Sequence, residues 1–343
     1  MSSVNTALRV RGLSVSFHLD GGPVEAVRHV DLDVPRGQLV ALLGESGSGK
    51  SVTARAVMGL AGQGATVTAD ELTLGDTDLR TVSPGQLREL RGTRMSLVLQ
   101  DALSALNPVL TIGDQLGELF RVHRGASKKA ARARAVDLLG MVGIPAPARR
   151  VDDYPHQFSG GMRQRILIAM AIALEPELLI ADEPTTALDV TVQAQILDLL
   201  GELRSQLDMG VLLITHDLAV VSEVADQLAV MYAGRVVEAG DADTVLNRPG
   251  HPYTEALLSA VPDPDPNVAD RAKADGRGRI VLRGEVADPS KVPAGCPFHP
   301  RCFYAQDRCR TEVPALREVR PGRRAACHFA EELELRGIEP NAH

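Results

Sequence analysis

The chain has 343 residues, of which 44% are apolar and 24% charged, with a formal net charge of −7. That is enough apolar material for one large domain or two modest ones, and the acidic balance argues against a broadly basic nucleic-acid-binding surface. The densest apolar run, Ile166 to Leu174, falls far short of the roughly 18 residues of a membrane span, and the N-terminus lacks the basic and apolar regions of a signal peptide, so a cytoplasmic location is expected.

From Leu8 to Val34 apolar and polar residues alternate, with Leu13, Val15 and Phe17 on one face and a Gly21-Gly22 turn. This is a hairpin pattern. Gln38 to Leu43 is a continuous apolar run ending at glycine, the pattern of a buried strand. A glycine-rich loop and a helical stretch, Val52 to Leu60, follow, then a second buried strand at Met95 to Leu99. Residues Thr111 to Gly143 are helical in period, with an Ala/Arg-rich amphipathic part from Lys128 to Met141. Gly160 to Leu174 reads as a helix, Leu178 to Ala181 as a strand, Val192 to Leu207 as a helix and Val211 to Thr215 as a strand. Alternating strands and helices predict an α/β core with a mainly parallel sheet. Near Pro249 the texture changes: prolines stand at 249, 252, 262, 264 and 266, and Ala269 to Arg279 is polar. A boundary is expected near residue 250. The segment beyond it is loop-rich and would need a staple to hold a fold.

Gly44-Glu45-Ser46-Gly47-Ser48-Gly49-Lys50-Ser51 fits G-x-x-x-x-G-K-[ST] between a predicted strand and a predicted helix. Glycines let the backbone wrap a phosphate so that amide N–H groups and the helix N-terminus point at the anion. Lys50 is then expected to reach the β- and γ-phosphates, and the Ser51 hydroxyl to ligate Mg²⁺. The strand Leu178 to Ala181 ends in Asp182 and Glu183. At a strand tip Asp182 could hold the Mg²⁺ shell, and Glu183 could polarise a water for in-line attack on the γ-phosphorus.

Ser159-Gly160-Gly161-Met162-Arg163-Gln164, preceded by Phe158, resembles the signature motif of ATP-binding-cassette (ABC) ATPases. Further elements fall in the family's order. Gln100 resembles the Q-loop glutamine, Ala187-Leu188-Asp189 the D-loop, and His216 the switch histidine. Phe17 lies where the family places an aromatic that stacks on adenine. The resemblance covers about residues 8 to 245. It implies an ABC-type P-loop ATPase fold, with a RecA-like core, an antiparallel β-subdomain and a helical signature subdomain at about 101–165. It also implies roles. Lys50 and the loop amides bind the β/γ-phosphates, and Ser51, Gln100 and Asp182 surround Mg²⁺. Glu183 is the general base and His216 contacts the γ-phosphate. Ser159 and Gly161 meet ATP held by another cassette. Met162 stands where glutamine is commonest, and a thioether cannot donate a hydrogen bond. With one phosphate loop and one signature, the chain is expected to pair with a second cassette, itself or a paralogue.

The cysteines are absent until residue 296 and then fall at Cys296, Cys302, Cys309 and Cys327, a C-x₅-C-x₆-C-x₁₇-C spacing. Four thiolates so spaced can converge on one tetrahedral centre, which suits a [4Fe–4S] cluster or Zn²⁺. The spacing lacks the C-x₂-C knuckles usual for structural zinc, and free or disulfide-forming thiols are the third alternative. Gly250-His251-Pro252-Tyr253-Thr254, Cys296 to Cys302 and the post-Gln100 segment Asp101 to Pro108 resemble the oligopeptide/dipeptide (and nickel) importer ATPases. That resemblance implies a [4Fe–4S] cluster on the four cysteines. His299 and His328 are expected beside it rather than as ligands.

The expectation is therefore an ATP-hydrolysing subunit of a peptide importer. It would comprise a nucleotide-binding domain at 1–250, a C-terminal extension at 251–330 and a tail at 331–343. Two transmembrane permease subunits and, indirectly, a solute-binding protein are the implied partners, and no nucleic acid is. The chain would sit at the cytoplasmic face of the membrane. The competing readings are a nickel importer ATPase and a soluble non-transport ABC ATPase.

Overall fold

The computed structural model describes residues 5–19, 22–99, 105–186, 188–261, 279–285 and 287–337. Gln100, Asp101 to Ser104, Ala187 and the Gly21 half of the expected turn lie outside the described residues. The described chain divides into two compact units. One comprises residues up to Arg9, Asp33–Leu39 and Leu72–Ile214, and the other Val10–Leu32, Val40–Glu71 and residues from Thr215 onward. These are units of packing, whereas the segments 1–250 and 251–330 are divisions by motif.

In the first unit β7 (Met95–Val98), β8 (Leu178–Asp182) and β9 (Gly210–Thr215) run parallel, with Leu97 opposite Ile180 and Ile180 opposite Leu212. β8 and β9 are buried along their whole length, as strands covered on both faces must be, and this explains their unbroken apolar runs. The stretch predicted as one helical period from Thr111 to Gly143 forms two helices, Ile112–Arg124 and Lys128–Met141. The break is written locally. Gly125 closes the first helix in the left-handed conformation, and Ser127 caps the second by accepting the Ala130 N–H. Periodicity alone does not see a three-residue interruption.

The second unit holds most of the hairpin strands β1 (Thr6–Leu19) and β2 (Gly22–Pro35), with β4 (Ala65–Thr68) antiparallel to β1; the short strands β5 (Glu71–Leu74) and β6 (Thr77–Asp78) pair antiparallel with each other. Its larger sheet places β3 (Leu39–Leu43) parallel to β10 (Gln227–Tyr232). β11 (Arg235–Asp241) is antiparallel to β10, then comes β13 (Arg323–Ala325) and then β12 (Arg317–Arg320). Strands β10 to β13 are not among the sequence expectations. β12 and β13 carry mostly arginine and glutamate, and only pairing makes them strands, β13 with β11 and β12 with β13. The cysteine segment therefore shares the unit's core instead of floating beside it. Phe298, Cys296 and Cys309 pack with Tyr232, Val237, Val245 and Tyr253.

Candidate nucleotide site

β3 runs into the loop 44–49, and the helix Lys50–Val57 begins at its end, two residues earlier than the periodicity predicts. Gly49 caps that helix at φ 105°, and a Cβ there would stand 2.6 Å from the Ala26 carbonyl oxygen. Only glycine tolerates both constraints. The arrangement aims the first helical amides at one spot, an anion site. The Lys50 Nζ, buried, donates to the carbonyl oxygens of Gly44 (2.6 Å) and Glu45 (3.0 Å). The Ser48 hydroxyl is buried with no hydrogen-bond partner among the described residues, a polar group the loop itself leaves unsatisfied. Both features fit the phosphate chain of a nucleotide. Phe17 is half-buried on β1 opposite Ala65.

In the first unit Asp182 closes β8 and is buried. Glu183 follows at φ 49°, left-handed backbone for a non-glycine residue. Such a conformation costs of order 1–3 kcal/mol and recurs at functional sites. Its N–H donates to the Ile214 carbonyl (2.9 Å), and its carboxylate accepts from the Thr186 hydroxyl (3.1 Å). β8 thus delivers two acids in succession, and the turn re-aims the second.

Ser159 caps the helix Gly160–Ile172 by accepting the Met162 N–H (3.4 Å), and Asp189 caps the helix Val190–Leu207 by accepting the Val192 N–H (2.9 Å). The two helix starts are in contact, since a Cβ on Gly161 would fall 2.5 Å from the Val192 side chain. Ser159, Gly160 and Asp189 face solvent, and Val190 beside them is 83% exposed. The Met162 sulfur accepts from Arg150 (3.8 Å), whose guanidinium lies 4.3 Å over the Phe158 ring. That residue is thereby occupied within its own helix start. His216 is exposed immediately after β9, ahead of the Asp217 cap of the helix Leu218–Val224.

The four cysteines are all free, and all four line one cavity, together with Phe298 and Phe329 among others. Neither lysine nor arginine is in that lining. Burial pushes the Cys302 thiol up to about 12 and the Cys327 thiol up to about 11. Nδ1 of His299 is within 2.9 Å of the Cys296 carbonyl, and Nε2 of His328 within 2.9 Å of the Glu312 carbonyl. Among the described residues, no three His, Cys, Asp or Glu side chains are grouped as a single metal ion would require.

Residues 27–186 match the ABC transporter family model, and residues 237–309 match the oligopeptide/dipeptide transporter C-terminal region. The chain is 49% identical over 323 residues to the dipeptide transport ATP-binding protein DppD of Escherichia coli (strain K12), covering 94% of this chain and 96% of the relative. This chain belongs to the ATP-binding subunits of peptide ABC importers. Within that family it is also 48% identical over 327 residues to a putative peptide import ATP-binding protein of Brucella abortus (strain 2308), covering 95% of this chain and 96% of the relative. Its cassette fold is similar to that of a dimeric, post-hydrolysis ATP-binding cassette bound to ADP and Pi. There the TM-score is 0.61 and the identity 26%, over 68% of this chain and 98% of the other. It is also similar to cbiO1 from Clostridium perfringens, part of an ABC transporter complex (TM-score 0.60, 26% identity, 70% of this chain and 90% of the other). As a member of this importer family the chain is an ATPase with an ABC-type α/β cassette, and ATP and Mg²⁺ are the ligands expected of it.

Sequence reasoning missed two residues of this importer ATPase's loop environment. Arg301 makes a two-pronged ion pair with Glu45 (2.7 and 3.1 Å), and the Tyr253 hydroxyl accepts the Glu45 N–H (3.0 Å). A signal existed, because an acid inside a phosphate-binding loop calls for a cation. The partners are 256 and 208 positions away, however, and no spacing rule reaches that far.

Proposed function

We propose that this chain powers the import of dipeptides or oligopeptides by binding and hydrolysing ATP with a second cassette. The observation that carries the reading is the ordered set of nucleotide motifs, whose described members each have a fitting local geometry. Gly44 to Ser51 form an anion-binding helix start, Asp182 and Glu183 stand at a strand tip, and Ser159 and Asp189 form two capped helix starts. Lys50 and the loop amides hold the β/γ-phosphates, with Ser51, Gln100 and Asp182 around Mg²⁺, which supplies charge neutralisation at the phosphates. Glu183 is the general base, held by Thr186, and His216 contacts the γ-phosphate. Phe17 is the adenine contact. Ser159, Gly161 and Asp189 serve ATP bound by the other cassette, and the exposure of Ser159 and Asp189 beside an 83% exposed Val190 supports that placement.

No described helix is long and apolar enough to cross a membrane. The chain reaches the cytoplasmic membrane face through two permease subunits, which a solute-binding protein supplies. Val109 (74% exposed) and Leu110, directly after the segment 101–108, offer apolar surface for a permease contact. The four cysteines hold a [4Fe–4S] cluster. Four free thiols on one cavity whose lining has no lysine or arginine support it. When bound, such a cluster supplies a cationic centre that keeps the buried sulfurs as thiolates and ties the segment together.

The test is reconstitution of the complex with both permeases, a partner cassette and the binding protein, followed by ATPase assay against a peptide panel. Stimulation by di- or oligopeptides is expected. Stimulation by nickel alone, or by no solute, would overturn the peptide reading.

A further inference from the structure

Glu45 is the second residue of the nucleotide loop, and all three of its polar groups are held. Its carbonyl accepts from Lys50 (3.0 Å), its N–H donates to the Tyr253 hydroxyl (3.0 Å), and its carboxylate takes both prongs of Arg301 (2.7 and 3.1 Å). Two of these three grips come from the C-terminal part of the chain. Arg301 belongs to the single helical turn His299–Arg301 between Cys296 and Cys302, and Tyr253 is the second residue of the helix Pro252–Leu258. The grip is rigid at its root. Tyr253, Tyr232 and Phe298 are almost fully buried and form a nest with ring centroids 4.7 to 5.5 Å apart, and the Arg301 guanidinium lies 5.8 Å from the Tyr232 ring.

The Arg301 side chain is only 7% exposed and that of Glu45 26%. The pair is therefore sheltered and bidentate, unlike a surface salt bridge of negligible worth. Sheltered pairs are expensive in desolvation, and apolar residues would fill the same space at less cost. A specific reason for this pair lies in the loop it touches. A carboxylate inside an anion-binding loop opposes the phosphates the loop must accept, and a guanidinium fixed on it cancels that field.

We propose that Arg301 and Tyr253 are positioning residues of the ATP site, through which the cysteine segment neutralises Glu45 and holds the phosphate loop open for nucleotide. This rests on residues 44–51 being the nucleotide-binding loop. With the Glu45 N–H and carboxylate pinned from outside, only Lys50 has to leave its carbonyl partners when phosphate arrives. Without the grip, the loop samples other conformations and its affinity falls by the competent fraction, and an uncompensated carboxylate repels the ligand.

The experiment measures Mg·ATP affinity of the full-length chain, purified anaerobically, by titration calorimetry, with melting temperature recorded without nucleotide. Arg301→Met is expected to weaken ATP about tenfold, and more at low ionic strength. Arg301→Lys, which keeps the charge but loses the fork, is expected to weaken it severalfold. The double variant Arg301→Met/Glu45→Gln is expected to return to within about threefold of wild type, because the offending charge is gone. Affinity within twofold of wild type in Arg301→Met would overturn the proposal. So would equal weakness and equal loss of melting temperature in the single and double variants, the mark of a merely structural contact. Should Arg301→Met fail to fold, Arg301→Lys and Tyr253→Phe decide. Each is expected to weaken ATP by threefold or more, and wild-type affinity in both would overturn the proposal. Lys50→Ala in the same assay keeps the two assignments apart, since wild-type affinity there would remove the nucleotide-loop reading itself.

Discussion

Glu183 shows most compactly how this chain places chemistry. Its φ of 49° is unfavourable for a side-chain-bearing residue, and it is held by a backbone bond to Ile214 and a hydroxyl bond from Thr186. The strain follows directly after Asp182, so two adjacent acids point differently. Glu183→Gln keeps shape and hydrogen-bond capacity but cannot take a proton, and ATPase turnover is expected to fall by about a hundredfold or more. Near-normal turnover would defeat the general-base role. Lys50→Ala is expected to abolish turnover by loss of nucleotide affinity, so binding data separate the two. Glu238 is a different kind of buried acid. It is fully enclosed, accepts the N–H groups of Gly250 (2.5 Å) and His251 (3.0 Å), and is pushed by burial up to about 7, with Arg323 partly opposing the shift. A raised carboxyl means that the folded state holds its proton more tightly than the unfolded state. The stability from Glu238 is then fully present below about pH 4.5 and is lost as pH rises toward 7, by about 3 kcal/mol. Glu238→Gln mimics the protonated form, so its melting temperature relative to wild type should climb between pH 5 and 8. A difference that stays flat across that range would exclude Glu238 as the titrating group.

At the scale of elements, two capping residues are also proposed functional residues. Ser159 and Asp189 each satisfy an orphan N–H at a helix start, and a helix start is also where an anion is welcome. Ser159→Ala is expected to cost about 1 kcal/mol as a cap, a small shift in melting temperature, yet to remove most ATPase of the assembled transporter. If activity fell only in step with stability, Ser159 would be a cap and nothing more. The cysteine segment makes a second element-scale prediction. The anaerobically purified chain should be brown, absorb near 400 nm and carry about four irons. A colourless protein with one zinc would refute the cluster.

Over the whole molecule, the C-terminal segment is part of the second unit's core. β13 pairs with β11, Ala326 donates to the Val237 carbonyl, and Phe298 sits in the aromatic nest. A chain ending at residue 294 would lose Phe298, whose removal alone is worth about 3–5 kcal/mol in a core, and would expose the β11 edge to aggregation. Such a chain is expected to melt far below the full-length protein or to be insoluble. Equal melting temperatures would show that the segment is an independent appendage.

The amino-acid order by itself determined the nucleotide chemistry, because each motif is a short local arrangement of loop, cap or strand tip that neighbouring residues suffice to build. It also determined the buried strands β3, β8 and β9, whose continuous apolar runs leave no other use. It could not place β12 and β13, which carry charge and become strands only when β13 finds β11 and β12 finds β13. It pointed to four crowded cysteines, but only tertiary packing put them on one cavity. Only tertiary packing, likewise, brought Arg301 and Tyr253 to the phosphate loop across more than two hundred residues, since electrostatic and core contacts act through space and leave no periodic trace in the chain.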